Sequence, residues 1–205
     1  MSRFTDRDRE RLRSQLIAAG QKLFTQYGFE RTRISDLTED VGIGTSTFYQ
    51  FFDSKDALYV EVLLAEREGL EEQIAAAVSE VETPREEVRA LLKTTLSEVR
   101  ANPLISSLIV DGELRALQDR IADAETTDES IVTSVGDSEL PFAARWADLE
   151  SFRYDDPELI DQLVISLVFT ARSRNAPIGA DTDAAYEQVE DALIETVVDG
   201  LFTDK

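Results

Sequence analysis

Residues 34–55 have the sequence ISDLTEDVGIGTSTFYQFFDSK, and this stretch decides the fold of the chain. Leu37 and Val41 are four residues apart, which is the spacing of one helical face. Gly42 then stands where a helix should end, because glycine enters the left-handed conformation without steric cost. The residues after this turn predict a second short helix, about Thr45–Phe51. A helix, a tight turn with glycine and a second helix are typical of a helix-turn-helix, whose second helix enters the major groove of DNA.

The second predicted helix concentrates small hydroxyl groups, a phenol and an amide. Such side chains form a poor core and a good surface for phosphates and base edges. Phe48 and Phe52 can supply the core contacts, so the phenol of Tyr49 is expected to point at a phosphate; the alternative is that Tyr49 is itself a core aromatic. Gln50 can make a bidentate contact to adenine. The alternative for the polar residues is an ordinary solvated helix face. The candidates for DNA binding in and before this helix are Arg33, Ser35, Thr45, Ser46, Thr47, Tyr49 and Gln50.

Residues upstream and downstream extend the motif, and together they resemble the tetracycline-repressor-like (TetR) family of transcription regulators. Thr38, Gly44 and Ser46 depart from the usual residues of the family, which affects the expected base preference more than the fold. The resemblance is carried over about fifty residues by Ala19, Leu23, Phe24, Gly28, Phe29, Thr32, Ile34, Leu37, Gly42, Thr47, Tyr49, Phe52, Lys55 and Leu58.

The resemblance implies an all-α protein of about nine helices. Residues 1–55 would form a three-helix DNA-binding domain, and residues 56–205 an effector-binding and dimerisation domain. By resemblance, Tyr49 and Lys55 hold the DNA backbone. Ser54 is expected to cap the helix that begins at Lys55, which places a positive charge beside free backbone N–H groups, an arrangement that binds phosphate.

The remaining helices are predicted from apolar spacing and from capping residues. Arg9–Tyr27 should form the first helix with Gly28 as its stop, and Thr32 is a candidate N-cap of the second. Residues 1–8 are expected to form an arm; Arg3, Arg7 and Arg9 could reach a minor groove, or the terminus could simply be frayed. Later helices are predicted from Lys55 to about residue 81, over residues 84–100, from Pro103 to a break near Gly112, and over residues 140–152, 157–172 and 182–202, with residues 125–138 as a loop.

By resemblance, the last two helices form a four-helix interface in a homodimer, and the operator would be a pseudo-palindrome. The family also binds small molecules between its central helices. Polar and aromatic residues of this region could line such an effector pocket, and the alternative is that the aromatic residues are core. The candidate pocket residues are Ser106, Phe142, Trp146 and Phe169.

The composition argues against an enzyme. The chain contains neither cysteine nor histidine, so thiolate nucleophiles, Cys-ligated metals and catalysis by a Ser–His or Cys–His pair are excluded. Abundant carboxylates remain, but no arrangement of them indicates a site. We therefore predict no catalytic residue, no metal site and no cofactor.

The net charge is −21, and it is distributed unevenly. Residues 1–55 contain nine Lys or Arg and eight Asp or Glu, a net charge of +1, whereas the other 150 residues carry −22. Lysine is scarce, with four against seventeen arginines. An acidic, lysine-poor surface suits high ionic strength, which screens self-repulsion, so an origin in a halophilic archaeon is expected; the alternative is an unusually acidic protein of a mesophile.

The N-terminus is polar and lacks the apolar region of a signal peptide, and the apolar run Leu163–Ala171 is too short to span a bilayer. A cytoplasmic protein without membrane association is expected.

The whole pattern predicts a dimeric, sequence-specific DNA-binding regulator, most often a repressor, that a small effector releases from a double-stranded DNA operator. The alternative is a helical ligand-binding or adaptor protein that has lost operator binding, which the acidity of residues 56–205 favours.

Overall fold

The computed structural model describes residues 5–111, 142–171 and 183–203. Within these ranges the regular elements are helical, apart from one isolated antiparallel bridge between Phe152 and Phe202. The predicted all-α class is confirmed. The described helices are α1 (Asp6–Tyr27), α2 (Ile34–Val41), α3 (Thr45–Phe48), α4 (Lys55–Ser79), α5 (Pro84–Ala101), α6 (Pro103–Ser106), a π-helix (Ser107–Asp111), α7 (Ala143–Ala147), α8 (Pro157–Ala171) and α9 (Asp183–Leu201).

Capping residues explain where several helices begin. The predicted cap of α4 is confirmed, since the backbone N–H of Ala57 donates to the Ser54 hydroxyl. Thr83 and Glu86 form a capping box at the start of α5, and at the start of α8 the N–H of Glu158 donates to the Asp156 carboxylate.

The first helix starts earlier than predicted. Thr5 caps α1, because its hydroxyl accepts from the N–H of Asp8 and its own N–H donates to the Asp8 carboxylate. The Thr5 hydroxyl also donates to the Asp8 carboxylate at 2.6 Å, and this bond, together with that from the Thr5 N–H, lowers the pKa of Asp8. Residues 6–8, predicted as part of an arm, are therefore helical, and residues 1–4 lie outside the described part.

The helix predicted over residues 140–152 is shorter in the structure. Only Ala143–Ala147 is α-helical. The chain then turns and pairs with the C-terminal end: the N–H of Arg153 donates to the Leu201 carbonyl at 2.8 Å, and that of Thr203 to the Ser151 carbonyl at 2.8 Å. This backbone pairing replaces the last predicted turns of the helix. The predicted loop at residues 125–138 and the predicted break near Gly112 lie outside the described residues.

By their contacts, the described residues fall into two compact units, which meet in the sequence between Gly69 and Leu70 and between Ala101 and Asn102. The first unit contains α1 to α3, α6, the π-helix and the N-terminal part of α4. The second unit contains α5, α7 to α9 and the C-terminal part of α4. The division into domains of residues 1–55 and 56–205 stays a prediction.

The core of the first unit fixes the three helices of the motif. Side chains from α1, α2, α3 and α4 are buried together, among them Leu16, Leu37, Phe48 and Leu58, each fully buried. Helices α1 and α4 approach closely at Gly20, where an added Cβ would lie 2.7 Å from Cγ2 of Val62. A side chain at this position would force the two helices apart.

The core of the second unit contains an aromatic cluster around Trp146. Trp146 is fully buried and stacks between Phe142 and Phe152, with centroid distances of 5.8 and 6.2 Å. Its indole N–H donates to the Glu87 carboxylate at 2.8 Å, so its polar atom is satisfied. Helix α5 packs against both α8 and α9.

Helices α5 and α9 are also joined by a ladder of ion pairs. Basic residues of α5 face acidic residues of α9 in antiparallel order, which fixes the register of the two helices. Arg89 makes a bidentate pair, with Nε and Nη2 at 2.6 and 2.7 Å from the two carboxylate oxygens of Glu195. These bonds raise the pKa of Arg89 and lower that of Glu195. The pairs are Arg85–Asp199, Arg89–Glu195, Lys93–Asp191 and Arg100–Glu190.

None of the helices in the described part of the chain has the length and apolar character needed to cross a membrane.

Candidate nucleic-acid interface

The turn between α2 and α3 has the geometry predicted for a helix-turn-helix. Gly42 adopts φ +76° and ψ +34°, the left-handed conformation that glycine favours. The N–H of Ile43 donates to the Thr38 carbonyl at 2.9 Å, so this carbonyl near the end of α2 has a hydrogen-bond partner. Thr38, the residue that departs from the usual alanine, is buried, and its hydroxyl donates to the Ser35 carbonyl at 3.1 Å. The buried threonine is therefore accommodated without an unpaired hydroxyl.

The recognition segment is a shorter α-helix than predicted. Regular α-helix covers Thr45–Phe48, and tight turns continue to Phe51. The N–H of Gln50 donates to the Thr47 carbonyl and that of Phe51 to the Phe48 carbonyl, so the last turn has i→i−3 bonds. One helical turn is not stable by itself, so tertiary contacts determine its position.

The segment is anchored on one side and exposed on the other. Phe48 is fully buried and Phe52 is 5% exposed, as the sequence predicted. Thr45, Ser46, Tyr49 and Gln50 are exposed, and Thr47 is half-buried. Tyr49 is 54% exposed, with its ring edge against Phe48 at 5.5 Å. The interpretation of Tyr49 as a core aromatic is wrong, whereas a contact with DNA stays a prediction.

The start of α2 presents two more candidates, and it corrects one predicted cap. Arg33 is the N-cap residue, and its N–H donates to the Asp36 carboxylate at 2.9 Å. The side chains of Arg33 and Ser35 are exposed. Thr32 does not cap α2: it is buried, and its hydroxyl donates to the carbonyls of Gly28 and Leu23 at the end of α1. It holds the connection between the helices instead.

Lys55 stands at the first turn of α4 as predicted, but its ammonium group points to the connection between α1 and α2. The Nζ atom donates to the Phe29 carbonyl at 2.7 Å and to the Thr32 carbonyl at 3.1 Å. It also lies 4.0 Å from the centroid of the Phe29 ring, a cation–π contact. Lys55 therefore has a structural role in the first unit, and its contact with a DNA phosphate stays a prediction.

Two arginines of α1 approach the recognition segment, a feature that the sequence reasoning did not anticipate. Arg9 Nη2 donates to the Gln50 carbonyl at 3.2 Å, and its guanidinium lies 5.2 Å from the centroid of the Phe51 ring. Arg13, one turn later, lies 5.3 Å from the Phe52 ring and pairs with Glu61 at 2.8 Å. The only sequence signal was the four-residue spacing of the two arginines, which places them on one face of α1.

The predicted effector-pocket residues are divided between the two units. Ser106 belongs to α6 in the first unit, whereas Phe142 and Trp146 belong to the second. The complete burial of Trp146 favours the alternative that this aromatic is core. Phe169 lies on α8, and its side chain is outside the described part. The effector pocket stays a prediction.

The first unit contains a surface cleft of about 490 Å³ between the end of α1 and α2. It is lined by Leu23, Tyr27, Arg31, Asp36, Glu39 and Asp40, so it is open, charged and remote in sequence from the predicted effector pocket. Among the described residues, no group of three or more carboxylates is arranged to hold a metal ion.

Comparison with known proteins supports the resemblance drawn from the sequence. Residues 16–62 match the family of bacterial regulatory proteins described as the tetR family. The HTH-type transcriptional regulator Rv1255c of Mycobacterium tuberculosis is 28% identical over 93 residues, which are 45% of this chain and 46% of that protein. The chain thus matches about half the length of this curated relative. Neither comparison supports an origin in a halophilic archaeon.

Solved structures extend the likeness to nearly the whole chain. A TetR-family transcriptional regulator from Pectobacterium atrosepticum has a TM-score of 0.68 at 21% identity, covering 98% of this chain and 99% of that one. The regulator AibR, in complex with isovaleryl coenzyme A and operator DNA, has a TM-score of 0.58 at 17% identity, covering 94% and 98%. At these identities the likeness shows the fold. The chain therefore has a TetR-like fold with an N-terminal helix-turn-helix of the tetR type.

Proposed function

We propose that the protein is a sequence-specific DNA-binding transcriptional regulator, a repressor that a small-molecule effector releases from its operator. One observation carries the proposal: the recognition segment is anchored from behind by fully buried Phe48, while four of its polar side chains face solvent. A surface of this shape fits the major groove, which admits a helix and presents a distinct pattern of donors and acceptors at each base pair.

The residues of the interface divide by chemistry. Thr45, Ser46 and Gln50 can reach base edges, because their exposed hydroxyl and amide groups both donate and accept. Tyr49 is suited to a phosphate. Thr47, which is half-buried, is the fourth candidate for base contacts. We assign Arg33, Ser35 and Lys55, which lie outside the recognition segment, to the DNA backbone, where contacts fix position but not sequence.

A homodimer formed through α8 and α9 would place two recognition segments on one duplex. Val189 and Leu193 are four residues apart on α9 and are 56% and 41% exposed, and Leu159 on α8 is 41% exposed. The opposite face of α9 is buried within the protein itself, since Ile194 and Val198 are 3% and 0% exposed. A second copy covering the exposed side chains would give a two-fold symmetric protein and hence a pseudo-palindromic operator, with half-sites about 34–36 Å apart.

Release by an effector requires two states of the dimer. AibR, which shares the fold, was crystallised with both isovaleryl coenzyme A and operator DNA, so this fold supports both kinds of binding in one protein. We place the effector site in residues 56–205, where Ser106, Phe142, Trp146 and Phe169 are the candidate residues. Effector and operator must then weaken each other's binding by the same factor.

The acidic surface gives this regulator an unusual salt dependence. Among the described cations of residues 1–55, Arg9 contacts Gln50, Arg13 pairs with Glu61, Lys22 pairs with Asp40, and Lys55 donates to two carbonyls. Cations held by such contacts have fewer free donors for phosphates and contribute less to counterion release. We infer that binding rests on close hydrogen bonds and fit, as a regulator in the cytoplasm of a salt-loving organism would need.

Selection of duplexes from a random-sequence library tests the proposal. The protein should enrich one pseudo-palindromic sequence, and its affinity for that sequence should fall only shallowly between low and molar salt. The DNA upstream of the protein's own gene should shift in a gel at the same concentrations. Failure to enrich any sequence would favour the second candidate, a ligand-binding or adaptor protein, which the charge of −22 outside residues 1–55 favours.

The dimer has its own test, with a matched control. Leu193→Asp places a carboxylate in the exposed apolar face of α9 and should give a monomer by light scattering. Gln188→Asp adds the same charge to the same helix about 140° away from Leu193, and it should leave the dimer intact. A dimeric Leu193→Asp variant would contradict the proposed interface.

A further inference from the structure

Arg9 joins the first turns of α1 to the end of the recognition segment. Its Nη2 atom donates to the Gln50 carbonyl at 3.2 Å, and its guanidinium lies 5.2 Å from the centroid of the Phe51 ring. These two contacts reach consecutive residues that are more than forty positions away in the sequence. A single exposed side chain thus bonds the backbone and covers the neighbouring ring at the point where the segment ends.

The position of these contacts matters because the recognition segment has little stability of its own. Its α-helix is four residues long and carries no basic residue in its last turn. The last carbonyls of a helix have no partner within the helix and need a donor from elsewhere. The Gln50 carbonyl lies in the turns that follow this helix, where Arg9 supplies it with a charged donor, and a planar guanidinium can stack on an aromatic ring at the same time.

We propose that Arg9 is a positioning residue for DNA recognition, which holds Gln50 and Phe51 so that the exposed side chains of α3 are presented in one orientation. This inference rests on the proposed function. Without the contact, the segment samples other orientations, and the apparent affinity for the operator falls in proportion to the fraction that remains competent to bind.

Arg13 shows by contrast what is specific to Arg9. It lies one turn further along α1 and also covers an aromatic ring, that of Phe52. Its charge is paired with Glu61 on α4, however, and its guanidinium makes no described bond to the backbone of the recognition segment. Arg13 therefore supports the packing of α1 on α4, whereas Arg9 acts on the segment that would meet DNA.

A simple phosphate contact is the rival explanation, and it makes different demands. A side chain that binds a phosphate lowers the affinity for every DNA sequence and, when removed, reduces the salt slope by about 1. A positioning residue lowers the affinity for the selected operator alone and leaves both the salt slope and the binding of unrelated DNA unchanged.

The experiment compares Arg9→Ala with Arg11→Ala. Arg11 is also an exposed arginine, so its removal changes the net charge by the same amount. It lies two residues further along α1 and therefore on a different side of the helix. Amide hydrogen exchange of residues 50–52 is measured in the protein alone. Affinity is then measured at two salt concentrations for the duplex that the wild-type protein selects and for an unrelated duplex of equal length.

For Arg9→Ala we expect exchange at residues 50–52 to be several times faster, and affinity for the selected duplex to fall on the order of fivefold. Affinity for the unrelated duplex and the salt slope should stay as in the wild type, and Arg11→Ala should match the wild type throughout. Unchanged exchange in Arg9→Ala would overturn the proposal, whether or not the wild-type protein selects a DNA sequence. Failure of the wild-type protein to select any DNA would instead count against the proposed function. An equal loss on both duplexes would overturn it too and would identify Arg9 as a phosphate contact.

Discussion

Replacing Lys55 by methionine should destabilise the first unit, because one ammonium group closes the connection between α1 and α2. The half-buried Nζ atom donates to the carbonyls of Phe29 and Thr32 and lies over the Phe29 ring. Methionine keeps the length and apolar character of the side chain but removes the charge and all donors. The variant therefore isolates the contribution of the ammonium group.

The magnitude follows from the three contacts. A hydrogen bond from a charged donor contributes about 1.5–3 kcal/mol when buried, and a cation–π contact about 0.5–2 kcal/mol. Because Lys55 is only half-buried and water can replace part of what is lost, we expect a total loss of about 2 kcal/mol. For a chain of this size that corresponds to a fall in Tm of roughly 4–8 °C.

Thermal and urea unfolding followed by circular dichroism measure this loss, and Lys22→Met is the matched control. Lys22 belongs to the same unit, but its side chain is 59% exposed and pairs with Asp40 at the surface, where an ion pair contributes about 0–1 kcal/mol. Lys55→Arg should lose nearly as much stability as Lys55→Met, since a planar guanidinium does not reproduce the approach of the ammonium group to both carbonyls. If Lys55→Met unfolded at the same temperature as Lys22→Met, the structural role given to Lys55 would be refuted.

Three other substitutions probe the packing in the same unfolding assays. Gly20→Ala should cost about 1–3 kcal/mol, because its Cβ would lie 2.7 Å from Val62; an unchanged Tm would show that α1 and α4 can separate freely. Gly69→Ala should instead stabilise by about 0.5–1 kcal/mol, since nothing lies within 4 Å of the added Cβ on α4, and a loss would contradict the helical environment described. Glu195→Gln should cost less than about 1 kcal/mol at neutral pH. The folded pKa of Glu195 is lowered mainly by its hydrogen bonds with Arg89, so its contribution is present above the unfolded pKa and is lost as the pH falls through the folded one. The difference between wild type and variant should therefore shrink in acid, and a difference that grew in acid would reverse the assigned sign.

Local sequence signals predicted the helix-turn-helix well. Gly42 ends α2 in the left-handed conformation, and Phe48 and Phe52 are buried as expected. Ser54 caps α4. Each of these features is decided by residues within a few positions of one another, where conformational preference and apolar spacing act directly.

Features that depend on distant residues were missed or placed differently. Lys55 bonds carbonyls 23 and 26 positions away, and Arg9 bonds a carbonyl 41 positions away. No local pattern reveals which backbone group a long side chain will reach. The same reason explains Thr32, whose hydroxyl goes back to α1 instead of capping α2, and the early end of α7, which follows from pairing of the chain near Phe152 with the C-terminal residues.

The candidate site was predictable to the level of its exposed residues and no further. The motif placed five polar residues on one surface, of which Thr45, Ser46, Tyr49 and Gln50 are exposed and Thr47 is half-buried. The effector pocket is different, because a pocket is formed by residues from several elements. Trp146 illustrates this: its sequence neighbours do not reveal that Glu87 would satisfy its indole N–H and that the ring would be fully buried.

The most direct test of the account is a repeat of the random-library selection with a variant in which Thr45, Ser46 and Gln50 are all replaced by alanine. These side chains are exposed, so the fold should be unchanged. The wild-type protein should bind its selected duplex at least about 10³-fold more tightly than an unrelated duplex, and the variant should lose most of that ratio while keeping its affinity for unrelated DNA. A variant that selects the same sequence with the same preference would contradict the claim that the recognition segment reads the bases.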